Sequence, residues 1–279
     1  MSTYERYDKS AATVYDKSRV AVGAEVVAGC LTAAPRPLAE VELLDAGCGT
    51  GVYTAALAGI VGHLVGIDSS EDMLAIARSK IGKESYAERV TLQQGSILAL
   101  PYPDHSFDGV MFNQVLHHLE DGNDPRYGAH ARAVAEAYRV LRPGGVLVAN
   151  ICTHEQVREG YWYYDLILRA RGESIKRGAP AERMEEIFAE LGFVFKGRIV
   201  PLDGVMQGPA YFNPRGPLDP NWRRLDSIWS LATEEEVAQA EARVRELERQ
   251  GLLTDYMNER DESRRQRGQF TFFVAVRPD

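Results

Sequence analysis

The sequence predicts an α/β chain with a doubly wound, seven-stranded sheet, and three observations carry that expectation. A short apolar run, Val41–Leu44, passes through Asp45 into a glycine turn and then into a helical stretch. Further short apolar runs, ending near Asp68, Gln94, Phe112 and Ile151, alternate with helical patterns, as parallel strands joined by helical crossovers do. A last run, Q-F-T-F-F-V-A-V at Gln269–Val276, is strongly strand-forming.

The glycine turn reads D-A-G-C-G-T-G from Asp45 to Gly51. Glycines at every second position accept unusual backbone angles and let a ligand approach the main chain, so free N–H groups facing a ligand are expected. Thr50 is the expected cap of a helix over Val52–Ile60. The dinucleotide fingerprint is spaced G-x-G-x-x-G, whereas this turn is G-x-G-x-G with an acid before it, which disfavours a pyrophosphate and suits a cationic or amino-bearing ligand.

The second strand, Leu64–Ile67, ends in Asp68, placed to accept hydrogen bonds from ribose hydroxyls. Ser69 and Ser70 offer a cap to a helix over Glu71–Ser79, with Met73, Leu74 and Ala77 on its inner side. The third strand, Val90–Gln94, runs into Gly95-Ser96-Ile97. The fourth, Phe107–Phe112, runs into Asn113-Gln114 and then V-L-H-H-L-E-D. There His117 and His118 are adjacent, and a helical turn brings only one of them to the crevice. A helix over Tyr127–Leu141 leads through L-R-P-G-G to a fifth strand, Val146–Ile151, whose end carries His154.

Downstream, Y-W-Y-Y at Tyr161–Tyr164 is an aromatic patch, readable as packing or as one wall of a pocket. Gly192–Val200 is a sixth strand. Residues 201–268 form an excursion before the seventh, with helices over Trp222–Leu231 and Glu234–Gln250 and a core stripe of Val237, Ala240, Val244 and Leu247. Arginines 215, 223, 224, 264 and 265 hint at an anionic substrate or serve as surface charge. The expected organisation is an N-terminal helical segment at 1–40, a core at 41–200 and 269–279, and an insertion at 201–268, the first and last of which a family resemblance makes a lid and a substrate cap.

Composition narrows the partners. The net charge is −8, which does not favour nucleic acid. The 3 cysteines match no zinc or redox spacing, and no apolar run is long enough to span a membrane. A polar, charged start at Ser2–Arg19 carries no secretory signal, so a cytoplasmic protein, monomer or homodimer, is the expectation.

The glycine turn and the L-R-P-G-G segment, in that order, resemble the class I S-adenosylmethionine-dependent methyltransferases, most closely the branch that includes the ubiquinone- and menaquinone-type enzymes. The resemblance covers residues 4–152 and implies a Rossmann-like sheet, mostly parallel, with an antiparallel last strand. It implies S-adenosylmethionine as cofactor, S-adenosylhomocysteine as product, in-line methyl transfer to an O, N, S or C atom of a small molecule, and no metal. The implied cofactor set is Tyr15 in a lid, Asp45, Gly47, Cys48, Gly49, Thr50, Gly51, Asp68, Ser69, Met73, Gly95, Ser96, Ile97, Asn113 and Gln114. Ser96 departs from the acid common in the family at that place. On the substrate side stand His117 and His154 as candidate bases, with His118, Tyr161, Trp162, Tyr211, Trp222 and Arg223. The alternatives are a non-catalytic cofactor-binding protein of this fold and an NAD-dependent oxidoreductase.

Overall fold

A computed structural model describes residues 20–119, 121 and 124–279; Tyr15 and the first half of the expected lid lie outside the described residues. The strands are β1 (Glu42–Ala46), β2 (His63–Asp68), β3 (Val90–Gln94), β4 (Phe107–Asn113), β5 (Leu141–Ile151), β6 (Val194–Ile199) and β7 (Thr271–Val276). They form one seven-stranded sheet in the order β3-β2-β1-β4-β5-β7-β6, with β7 antiparallel to both neighbours. The strand order reverses between β1 and β4. In such sheets a crevice opens at that point, outside the carboxyl ends of the strands. Asp45, Asp68, Asn113 and Asn150 all lie at or next to those ends.

Helices cover both faces. On one side α1 (Ala24–Leu31) and α2 (Val52–Leu57) pack Val27, Leu31 and Leu57 against Leu43, Met111 and Val148. α3 (Glu71–Ile81) starts where the Ser70 side chain accepts the Met73 N–H, and it buries Met73, Leu74 and Ala77 as the sequence predicts. On the other face α4 (Gly128–Val140) and α7 (Ala181–Glu190) meet Leu44, Val110, Phe112 and Leu147. Between β5 and α7 come α5 (His154–Glu159), opened by a capping box on Thr153 and Gln156, and α6 (Leu168–Arg177).

The excursion before β7 holds α8 (Pro220–Arg223), α9 (Glu234–Arg249) and α10 (Leu253–Arg267). Thr233 caps α9 through the Glu236 N–H, three glutamates fill its first turn against the helix dipole, and Ala240, Val244 and Leu247 are buried as expected. The predicted long helix over Trp222–Leu231 is instead α8 followed by a 3₁₀ turn at Ser227–Leu231, each opened by an aspartate cap, Asp219 and Asp226. This region has its own core, in which Trp162, Tyr163, Tyr211, Trp222 and Trp229 pack with Val244, Leu247 and Met257. Among the described residues no helix is long and apolar enough to cross a membrane.

The arginines of this region are neutralised locally. Arg215 pairs with Glu248, Arg223 with Glu241, and Arg264 and Arg265 both with Asp261. The Asp261–Arg264 pair is buried, with side chains 4% and 7% exposed, and Arg264 also holds the Leu202 carbonyl at 3.0 Å. Breaking a buried pair leaves a lone buried charge. Asp261→Ala should therefore lose about 3 kcal/mol in urea unfolding, while Asp261→Leu with Arg264→Met should recover most of that loss.

Candidate active site

The crevice holds two adjoining cavities. The first, of about 760 Å³, surrounds the glycine turn and is lined by Asp45, Gly47, Cys48, Gly49, Thr50, Asp68, Met73, Asn113 and Gln114 from the expected set. The second, a chamber of about 860 Å³, lies between the sheet end and the excursion. Gln114, His118 and Met206 belong to both walls, so these residues mark the junction.

The glycine turn is fastened to the end of β2. The N–H groups of Gly47 and Cys48 donate to the Ile67 carbonyl at 2.8 and 3.0 Å, and that of Gly49 donates to Asp68 Oδ2 at 2.8 Å. The Gly51 N–H closes the turn on Cys48 O. The expected row of free N–H donors is therefore absent: four successive or near-successive donors are already engaged, and the turn is no anion cradle. Gly47 is required here for two reasons. Its φ is +83°, and a Cβ would come within 2.4 Å of Val115 Cγ2.

Asp68 accepts a second backbone bond, from Ser70 N at 2.9 Å. Burial raises its pKa, opposed by the N–H groups of Ser70, Gly49 and Ser69. Asp45 is more extreme. Burial pushes its pKa up to about 7, against the Thr54 hydroxyl, which donates to Oδ2 at 2.7 Å, and with help from the Asp68 charge. Its Oδ1, the Thr50 hydroxyl and both amide atoms of Asn113 are buried and make no hydrogen bond of normal geometry among the described residues, although the Asn113 amide is near enough to Asp45 to draw its pKa down. Thr50 does not cap α2: Gly51 occupies that position with φ 73° and no side-chain bond is made. Each orphaned group costs on the order of 1–3 kcal/mol, so four atoms on the walls of one cavity mark a place built for a polar ligand.

Five of the expected cofactor residues do not line this cavity. Gly51 is the helix cap packed on Ala77, and Ser69 is held by its carbonyl to Gln94 Nε2. The Gly95 N–H bonds Asp68 O, the Ser96 hydroxyl accepts the Leu98 N–H, and Ile97 is in the core.

In the chamber, His117, His118, His154 and Tyr161 are on the wall. Both adjacent histidines line it, contrary to the expectation that a helical turn brings only one of them there, and at the Leu116–His118 3₁₀ turn their rings lie 4.1 Å apart. His154 Nε2 donates to the Gly178 carbonyl at 2.7 Å, which leaves Nδ1 as its basic atom. Trp162, Tyr211, Trp222 and Arg223 are not on the wall. The first three are core of the excursion, with Trp162 Nε1 donating to Tyr211 O and Trp222 Nε1 to Ala210 O, and Arg223 is spent on Pro217 O and Glu241. Among the described residues no lysine or arginine lines the chamber, so the arginines of the excursion give no support to an anionic substrate.

Sequence reasoning missed several wall residues. Tyr53 donates to Val22 O and accepts from Asn150 Nδ2, joining α2 to β5 beneath the cavity. Asp226 accepts the hydroxyls of Tyr163 and Tyr164, each at 2.7 Å, and the Gln207 amide at 3.0 Å. His130 was legible only as a polar residue on the buried stripe of α4, with Ala133, Val134, Ala137 and Val140.

Comparison with known proteins fits this geometry. The methyltransferase-domain family matches residues 44–149. A demethylmenaquinone methyltransferase of Symbiobacterium thermophilum is 30% identical over 179 residues, spanning 55% of this chain and 68% of the relative. The one from Listeria monocytogenes is 32% identical over 175 residues, spanning 55% and 70%. The chain belongs to the class I S-adenosylmethionine-dependent methyltransferases. A solved structure from Anabaena variabilis, described as a methyltransferase of an antibiotic biosynthesis pathway, superposes on this methyltransferase with a TM-score of 0.71 over 93% of this chain and 98% of its own, at 20% identity. That likeness shows the shared fold, the excursion included. The strand order of this methyltransferase, with its antiparallel β7, is the one the resemblance implied.

The Asp45 carboxyl sets a pH dependence in the ligand-free methyltransferase. Its folded pKa is raised above the unfolded value, so the proton it keeps stabilises the fold below about 4, and this contribution is lost as pH rises through about 7. Asp45→Asn should melt higher than the parent protein above neutrality, with the difference vanishing as pH falls to the ordinary carboxylate range, as read by thermal denaturation across pH.

Proposed function

We propose that this methyltransferase moves a methyl group from S-adenosylmethionine to a small-molecule acceptor, with the cofactor in the glycine-turn cavity and the acceptor in the chamber beside it. The single observation behind this is the set of orphaned polar atoms on Asp45, Thr50 and Asn113 around a turn whose own N–H groups are engaged. Such a wall offers carboxylate and amide oxygens, which suit amino, hydroxyl and positively charged groups, all of which this cofactor carries.

The cofactor supplies a methyl group on a positively charged sulfur that is a ready leaving group. The chain's part is then placement. Asp68 holds the glycine turn and presents a buried carboxylate for ribose hydroxyls. Asp45 offers Oδ1 to an ammonium group. Met73 gives an apolar surface for the base, and Gln114, bonded to Asn150 Oδ1 at 3.0 Å and held with φ +50°, stands at the junction. His117 and His118 orient the acceptor from the turn after β4. The excursion at 201–268 acts as the cap: Met206, Gln207 and Asp226–Ile228 cover the chamber, and a bound acceptor filling it would keep water from competing for the methyl group. The name shared by the two relatives makes a demethylmenaquinone-type ring, in its reduced, hydroxyl-bearing form, the first acceptor to assay.

Calorimetric titration with S-adenosylhomocysteine tests the assignment. The protein should bind it, and Asp68→Ala, checked for folding by circular dichroism, should bind it at least about tenfold more weakly, about 1.4 kcal/mol. A folded parent protein that does not bind it would overturn the assignment.

A further inference from the structure

The chamber wall carries a histidine–carboxylate pair that the reading above leaves unused. His130 lies in the first turn of α4 and is 1% exposed. Its Nδ1 pairs with Asp121, whose other carboxylate oxygen accepts the Ala129 N–H. The Asp121 side chain is itself only 5% exposed. The Tyr127 ring meets the imidazole edge-on at 5.6 Å, which fixes its rotation. A carboxylate on Nδ1 keeps the neutral ring's proton there, so Nε2 is the basic atom. Nε2 has no hydrogen-bond partner among the described residues, and His130 is part of the chamber wall.

Packing does not require this pair. The stripe His130 shares is otherwise alanine and valine, and an aliphatic side chain would fill it without taking a carboxylate out of water, at a cost of several kcal/mol. Burial lowers the imidazole's affinity for a proton and Asp121 partly restores it; the balance is a lowered pKa, so the ring is neutral and able to accept. The other titratable groups on the wall are His117 and His118 from the turn after β4, Cys152 and His154 near the end of β5, Tyr161 and Tyr164, and Asp226 from the cap. Among the described residues of the wall there is no lysine or arginine, so they offer no fixed positive charge to a substrate that arrives as a carboxylate or phosphate. The rings of Tyr161 and Tyr164, stacked at 4.4 Å, give a flat apolar side.

We propose that His130, positioned by Asp121, accepts the proton of the acceptor's hydroxyl, and that the acceptor is therefore an uncharged ring compound bearing a weakly acidic hydroxyl. The proposal rests on the reading of the chamber as the acceptor site. The O–H bond breaks, its electron pair stays on oxygen, which becomes the nucleophile, and the proton passes to Nε2. The resulting imidazolium is held by the Asp121 carboxylate. His130 would be a catalytic residue in this step and Asp121 a positioning residue.

Two measurements on the protein saturated with S-adenosylhomocysteine test this without turnover. Ring ¹⁵N spectra should show His130 with its proton on Nδ1; a proton on Nε2 in the neutral ring would overturn the proposal. Titration with 4-nitrophenol, whose visible band reports ionisation, should show the bound phenol ionising at lower pH than the free one. His130→Gln should abolish that shift while leaving S-adenosylhomocysteine affinity unchanged, and Asp121→Asn should shrink it. Nitrophenol that fails to bind, binds only as the neutral phenol, or still ionises in folded His130→Gln overturns the proposal. If His130→Gln does not fold, the ¹⁵N tautomer and Asp121→Asn decide. Calorimetry on the same samples separates this failure from that of the wider reading: a parent protein that binds S-adenosylhomocysteine but leaves nitrophenol neutral sinks only the base.

Discussion

The bonds that tie the glycine turn to the end of β2 govern the rest of the site. Ile67 takes the N–H groups of Gly47 and Cys48 through its carbonyl, and Asp68 takes that of Gly49 through its side chain. The same carboxylate takes Ser70 N and so fixes where α3 begins. One side chain thus sets the turn, a helix start and the position of a buried negative charge. A glycine turn of similar appearance can cradle phosphate when its N–H groups point outward. Here those N–H groups are engaged within the protein, and the unsatisfied groups at the cavity wall are the Asp45 carboxylate, the Thr50 hydroxyl and the Asn113 amide. An acid before the turn and an acid after β2 are therefore compatible with one ligand that brings donors or positive charge to the carboxylates, while the hydroxyl and amide can serve either sense of hydrogen bond.

The chamber beside this cavity is built by a different principle. The chain leaves the sheet after β6, folds α8 to α10 around an aromatic core, and returns as β7 between β5 and β6. Because β7 is paired on both edges, the excursion is anchored at both ends to the sheet that carries the cofactor cavity. Asp226 draws Tyr163, Tyr164 and Gln207 onto a single carboxylate, which joins the segment after α5 to the cap. The chamber therefore owes its shape to hydrogen bonds and ring packing, and its charged groups elsewhere in the cap are spent on one another.

That division explains what the sequence revealed. Strand ends, the glycine turn and the Ser70 cap depend on neighbours within a few residues, and they stand where expected. β5 begins earlier than the L-R-P-G-G turn implied, because Leu141 already pairs with Phe107. α6 and α10 had no legible stripe; in α10 the buried positions include Asp261 and Arg264, a pair that satisfies itself and so hides from a pattern based on apolar residues. The same blindness misplaced Trp162, Tyr211, Trp222 and Arg223. Aromatic and arginine side chains suit a pocket wall or a cap core equally well, and only their partners, carbonyl groups and Glu241 in this case, decide between the two. Gly95, Ser96 and Ile97 show a finer limit. Their place in the chain is right for the crevice edge, yet local bonds to Asp68 O and Leu98 N turn them away from the cavity wall.

The two carboxylates of the glycine-turn cavity differ in how they hold a proton. Asp45 is raised first by burial and further by the charge of Asp68, whereas the burial that raises Asp68 is opposed by three backbone N–H groups. Asp45 is therefore the member of the pair that takes up a proton. A positively charged ligand beside Asp45 would reverse both causes of the raised pKa, since it supplies a counter-charge where burial had removed water. Binding would then release a proton near neutrality, and affinity would rise with pH through the window around 7 in which the ligand-free carboxyl titrates. The ionised carboxylate thus costs stability in the empty fold, and a positively charged ligand would offset part of that cost on binding. A site of this kind is not optimised for the stability of the protein alone.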